Sequence, residues 1–150
     1  MLELIDAKDD LNCLEEIMDL IYEEWGRYFS SSKESKLMKI KNSVLEGNKL
    51  PKIYVLKKDK EVIGSFTIKE NDLKGSDLTP WLACVVIKKE YRGKGYGKVL
   101  LDSIKKVIDS DYDNMYLLTK LNDFYEKIGF TYIKDINRDG EVDKLYGYRR

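Results

Sequence analysis

Residues Trp81 to Ile87 read WLACVVI, a nearly unbroken apolar run, and the chain then turns at once to cations and glycines in KKEYRGKGYGKVLL. A run of that length suits a strand buried on both faces, and such a strand belongs in the middle of a sheet. Beyond Gly93, Gly95 and Gly97, the residues Leu100, Leu101, Ile104, Val107 and Ile108 resume an apolar pattern with helical spacing. A central strand passing through a glycine-rich turn into a helix is an α/β arrangement.

The rest of the chain fits around that unit. LELIDA at the start has the period of a first strand. Leu14, Ile17, Met18, Ile21 and Trp25 predict a helix over about Asp10 to Trp25. Ser31 and Glu34 have the spacing of a capping box, and a second helix carrying Leu37, Ile40, Val44 and Leu45 is expected to end near Gly47. Ile53–Leu56 and Val62–Ile68 predict a hairpin that turns at KDKE. MYLLT reads as a further short strand, NDFYEKIG as a short helix stopped by Gly129, and FTYIKD with DKLYGYR as two last strands joined around NRDG. The order is β-α-α-β-β-β-α-β-α-β-β, a single α/β domain over residues 1–150 with a mixed sheet.

Composition narrows the function. The 27 basic residues balance the 27 acidic ones, which argues against nucleic-acid binding driven by net charge. No apolar run approaches the ~18 residues of a membrane span. The acidic start lacks the cationic region of a secretory signal, and with two cysteines, Cys13 and Cys84, the default setting is reduced and cytoplasmic. Histidine is absent, which removes Ser-His-Asp and Cys-His catalysis and imidazole zinc sites. Acid–base work falls to Asp, Glu, Tyr, Lys or water, and no metal is expected. Charge is nevertheless uneven: Met1–Gly26 holds nine acids and one base, whereas Val86–Lys106 holds seven bases and two acids.

The glycine segment has the makings of a phosphate-binding turn. Glycines admit positive φ and close backbone approach, successive amides form an anion nest, and the helix start adds free N–H groups. Arg92, Lys94 and Lys98 add full charge. The nucleoside-triphosphate loop is excluded, because three residues rather than four separate Gly93 from Gly97 and Val99 follows Lys98. The dinucleotide fingerprint is excluded because the pattern is G-x-G-x-G and follows the fourth strand. The alternative is a tight turn with a solvated basic rim. Against it, three glycines exceed the need of one turn, and ligands bind at the carboxyl ends of central strands in open α/β sheets.

Arg92, Gly95 and Gly97 match the Arg/Gln-x-x-Gly-x-Gly/Ala signature of the GNAT superfamily of acyl-CoA-dependent N-acetyltransferases. The segment from Asp77 to Leu101 resembles that family's fourth strand, pyrophosphate loop and third helix, and FYEKIGF resembles its second, tyrosine-bearing signature. Lys89 stands where many members carry proline, and Asn122 lies only three residues ahead of the tyrosine helix, where many members carry an earlier Asn. The resemblance implies a mostly antiparallel sheet flanked by helices, with acetyl-CoA as cosubstrate. It implies that Val85, Val86 and Ile87 hold the pantetheine arm, in the manner of an added strand beside a bulge. The amides of Arg92, Gly93, Lys94, Gly95, Tyr96, Gly97 and Lys98 would hold the pyrophosphate, and Asn122 is a further cofactor-binding candidate. Tyr125 is the implied catalytic acid for the departing thiolate, since a phenol with pKa ~10 can protonate a thiolate whose acid has pKa ~8.5. The Val85 amide would stabilise the oxyanion.

A primary amine, small-molecule or peptide, is the implied acceptor. Its general base is left open among Glu24, Glu70, Asp72, Asp77 and water. The acidic first helix is a candidate wall for a cationic acceptor. Trp81 is a candidate for another wall, although an aromatic starting a central strand is more often core. The rival function is a GNAT-fold acyl-CoA sensor or interaction module without turnover, and homodimer formation is left open.

Overall fold

A computed structural model describes residues 1–46 and 50–150. Seven strands form one sheet in the order β1-β2-β3-β4-β5-β7-β6. They are β1 (Leu2–Asp6), β2 (Lys52–Lys58), β3 (Glu61–Lys69), β4 (Trp81–Ile87), β5 (Asn114–Thr119), β6 (Thr131–Arg138) and β7 (Glu141–Arg149). Every neighbouring pair is antiparallel except β4 and β5. The expected mostly antiparallel mixed sheet is therefore present, with WLACVVI as its middle strand. The hairpin turns are tight because both turn residues adopt the left-handed conformation: Asp59 and Lys60 between β2 and β3, Asp139 and Gly140 between β6 and β7.

Helices α1 (Leu14–Trp25) and α2 (Lys33–Leu45) cover one face, and α3 (Tyr96–Asp111) covers the other. On α1 the residues Leu14, Ile17, Met18 and Ile21 are buried, the stripe foreseen from their spacing. Each such side chain contributes about 1.5–3 kcal/mol of burial. On the opposite face Leu100, Leu101, Ile104 and Ile108 of α3 join Phe66, Ile68, Leu82, Met115 and Leu117.

Three local expectations change. The turn Leu11–Cys13 is 3-10, so α1 begins at Leu14 rather than near Asp10. The cap of α2 is Ser32, whose hydroxyl accepts from the Ser35 amide at 3.1 Å, so the Ser31–Glu34 box is not formed. The expected end of that helix at Gly47 lies outside the described residues. The short helix around the tyrosine is a 3-10 turn, Tyr125–Ile128, closed by Gly129 at φ 103°. Four residues cannot complete an α-helical ladder of i to i−4 bonds, and the tighter turn satisfies them sooner.

Candidate active site

The site begins where the sheet comes apart. β4 and β5 share one register pair, Trp81 opposite Tyr116, supported by the Tyr116 amide donating to Pro80 O at 3.0 Å. Past that point β4 is paired only with β3, so the edge facing β5 is open from Leu82 to Ile87. The β3–β4 register also slips between Ser65 and Thr67, which face Val86 and Ala83. The extra β4 residue sits at a bulge, where Cys84 takes φ 54°. Gly64 makes room for this bend. A Cβ there would lie 2.7 Å from Ile87 Cδ1 and 2.9 Å from the Val86 carbonyl. A glycine inside a strand pattern is the signal that could have exposed this in advance.

Val85 and Ile87 are half-buried against the α3-side core, and Val86 is buried. Cys84 packs toward the α1–α2 side instead, and burial pushes its thiol up to about 11. Cys13 is buried, with its Sγ donating to Asp10 O at 2.8 Å. Neither thiol is poised as a nucleophile. Trp81 is fully buried and its indole N–H donates to Leu78 O at 2.6 Å, which makes it core and not a substrate wall.

The glycine segment follows a 3-10 turn at Lys89–Tyr91. Gly93 and Gly95 have φ 75° and 88°, a region that glycine enters without cost, and Gly95 is the N-cap of α3. Gly97 has no such requirement, yet a Cβ on any of these three glycines would meet nothing within 4 Å. The surface over the loop is open backbone. Among the described residues, no amide from Gly93 to Lys98 donates a hydrogen bond, whereas the Arg92 amide is taken by Lys89 O at 3.2 Å. Lys94 lies 5.9 Å from the Tyr91 ring centre, and neither Lys94 nor Lys98 has an ion-pair partner among the described residues. The segment fits a diphosphate: unpaired amides, two free cations and a helix start converge there.

Arg92 is used differently from the other two cations. Its Nε donates to Ile87 O at 2.8 Å and its guanidinium pairs with Glu24 of α1. Lys88 pairs with Glu16 at 2.5 Å, and Lys89 pairs with Glu23 at 3.0 Å. The hydrogen bond to Glu16 holds the Lys88 ammonium above its ordinary value. The acids of α1 thus clamp the basic segment to the first helix. That explains the uneven charge of the sequence and removes Glu16, Glu23 and Glu24 as a wall for a cationic acceptor. It also leaves Glu24 in an ion pair instead of free as a base.

Tyr125 is 7% exposed and belongs to the α3-side core. Phe124 and Phe130 flank its ring, at centroid distances of 4.9 and 6.0 Å with near-perpendicular planes. Burial pushes the phenol above its ordinary value, so it carries its proton through the neutral range. Its hydroxyl has no hydrogen-bond partner among the described residues. Asn122 lies on the exposed loop after β5, where its side-chain oxygen accepts from Lys144 of β7. Of the carboxylate candidates, Asp72 pairs with Lys69 at 3.2 Å. Glu70 and Asp77 are exposed.

A strand parted from its neighbour beside an amide-lined loop is the arrangement expected from the resemblance to the GNAT acetyltransferases. The chain belongs to that family, since residues 49–132 match the model of the acetyltransferase (GNAT) domain. No curated protein matches it. Among solved structures, it is similar to a Salmonella typhimurium protein solved with its cofactor acetyl-CoA (15% identity, 99% and 93% of the two chains, TM-score 0.72). A GNAT-family acetyltransferase from Staphylococcus aureus Mu50 superposes with TM-score 0.69 at 18% identity, over 99% of each chain. One from Streptococcus pneumoniae gives 0.68 at 18%, again over 99% of each chain. Identities this low speak for the fold. The described residues contain no metal-binding group and no helix long and apolar enough to cross a membrane.

Proposed function

We propose that the chain transfers an acetyl group from acetyl-CoA to a primary amine by direct attack. The observation that carries this reading is the pairing of two features: β4 stands free of β5 beyond Trp81, and the free amides of Gly93–Lys98 begin six residues beyond its end. Bound acetyl-CoA supplies the thioester and its leaving thiolate. The chain does the rest. The backbone of Val85–Ile87 holds the pantetheine arm as an added strand. Gly93–Lys98, with Lys94 and Lys98, binds the pyrophosphate, and Arg92 fixes the loop from behind. The Val85 amide donates to the oxygen on which charge develops. Tyr125 keeps its proton at neutral pH and gives it to the thiolate. The amine must lose a proton, and the exposed Glu70 and Asp77, or water, remain as acceptors for it. A coenzyme-binding sensor has no use for an unpaired, buried phenol, which favours turnover over that second reading.

The test is release of free thiol from acetyl-CoA across a panel of amines, beside thermal shift with coenzyme A. Turnover with an amine establishes the enzyme. Stabilisation without turnover on any amine supports the sensor. No stabilisation by coenzyme A overturns both.

A further inference from the structure

The bulge at Cys84 opens onto the α1–α2 side of the sheet, and a group of polar side chains gathers there that none of the steps above uses. Lys36 of α2 is half-buried, and its Nζ stands 3.7 Å from the centre of the Phe29 ring. Phe29 is held in place by Tyr22, whose ring lies 5.0 Å away and whose hydroxyl donates to Ser31 O at 2.9 Å. The Lys36 ammonium has no hydrogen bond or ion pair among the described residues. Lys69, at the end of β3, is within electrostatic reach of both Lys36 and Cys84. Burial, and then the like charge of Lys69, hold the Lys36 ammonium below its ordinary value. Asp72 offsets one of these charges by pairing with Lys69, and Lys39 adds another on the same side. The local balance stays positive.

A second, independent feature lies beneath the lysines. Thr67 is 6% exposed, and its hydroxyl is buried without a hydrogen-bond partner. Thr67 pairs with Ile53, a member of the α1–α2-side core, and with Ala83, the residue before Cys84. It precedes Lys69 by two positions, so the two side chains share a face. A buried hydroxyl without a partner costs about 1–3 kcal/mol unless something donates to it or accepts from it. Two uncompensated features of opposite kind, surplus positive charge and a spare hydroxyl, are both answered by one oxyanion.

We propose that the acceptor is an amine that also carries an oxyanion, of which an amino acid with a free carboxylate is the simplest form, and that Lys36, Lys69 and Thr67 hold that group on the α1–α2 side of the β4 bulge. Its role as an acceptor site rests on the acetyltransferase reading; its capacity to bind the anion does not. Cys84 of the bulge packs on the α1–α2 side, whereas Val85 and Tyr125 belong to the α3 side, so the proposed anion site and the proposed proton donor lie on opposite faces of the sheet.

The test is calorimetric titration of the full chain with N-acetylglycine, N-acetyl-leucine, N-acetylphenylalanine and N-acetylglutamate, each beside its carboxamide, with and without saturating coenzyme A. At least one carboxylate is expected to bind ~10-fold more tightly than its own amide. Lys36→Met and Thr67→Val should each cut that preference to about 2-fold or less, and Lys36→Arg, which keeps the charge, should retain it. If no carboxylate outbinds its amide, or if Lys36→Met keeps the preference, the proposal is overturned. Failure to bind coenzyme A in the companion titration breaks the acetyltransferase reading instead, and the coenzyme-free titrations separate the two failures. Coenzyme affinity of each variant also checks that it has folded.

Discussion

β4 is held unequally by its two neighbours. Toward β3 it is paired from Trp81 to Ile87, with one bulge. Toward β5 it is paired only at Trp81. The paired flank gives rigidity, and the unpaired flank gives a backbone edge that a ligand can complete. The same division separates the two halves of the proposed site. The proposed donor half is one continuous segment, Val85 to Lys98. The proposed acceptor half gathers Lys36 of α2 with Thr67 and Lys69 of β3, which are far apart in the chain. A single strand therefore supports a site that is half local and half assembled, and the two halves should fail differently when altered.

The largest effect is expected at the donor loop. Gly95→Asp puts a carboxylate where the pyrophosphate is proposed to bind and burdens a φ of 88°. Coenzyme A affinity should fall by ~100-fold or more in calorimetry, about 3 kcal/mol. Retained affinity would sink the loop assignment. Tyr125→Phe comes next, with kcat falling ~100-fold while coenzyme affinity changes less than ~2-fold. An equal loss of both would mean that the ring only packs. Because burial raises the Tyr125 phenol, the wild-type rate should show no decline from its ionisation up to about pH 10, where an ordinary tyrosine would lose its proton.

A smaller effect is expected on β7. Asp143 of β7 is 6% exposed and takes hydrogen bonds from Lys120 at 2.6 Å and Arg138 at 2.6 Å. Burial by itself raises its pKa, but these two partners outweigh it and hold the carboxyl below the ordinary range. Its stabilisation is full above the unfolded value of ~3.9 and is lost as pH falls through the lower folded value. Asp143→Asn should lower stability at pH 7 by about 1–2 kcal/mol in denaturant unfolding, with a flatter loss below pH 4 than wild type. An identical acid profile would remove Asp143 from the account. The smallest effect belongs to the clamp. Glu24→Gln breaks an exposed ion pair and should cost under ~1 kcal/mol of stability, with coenzyme affinity down by about 5-fold at most. A collapse of kcat in that variant would return Glu24 to the role of base.

The legible parts of the molecule share one property, which is that they are short in sequence. The apolar run of β4, the α1 stripe Leu14–Ile17–Met18–Ile21, the turns at Asp59–Lys60 and Asp139–Gly140, and the glycines before α3 all express rules that act over a few residues. Element ends were less legible: Ser32 rather than Ser31 caps α2, and the Tyr125 turn is 3-10 because four residues cannot complete an α-helical ladder. The acidic α1 and the basic segment were both visible as charge. That they are each other's partners was not, because Glu16 and Lys88 are distant in the chain and meet only where α1 packs beside the carboxyl end of β4.

The sequence by itself determined the order of the elements, the central strand and the glycine-rich turn before α3, since periodicity, glycine and cation placement act locally. Tertiary structure alone decided that β4 parts from β5, that Gly64 admits the bulge, and that Lys36 and Lys69 come within electrostatic reach of Cys84. Those features depend on which strands become neighbours and in what register, and register is fixed by the packing of whole faces, which no short stretch of the chain contains.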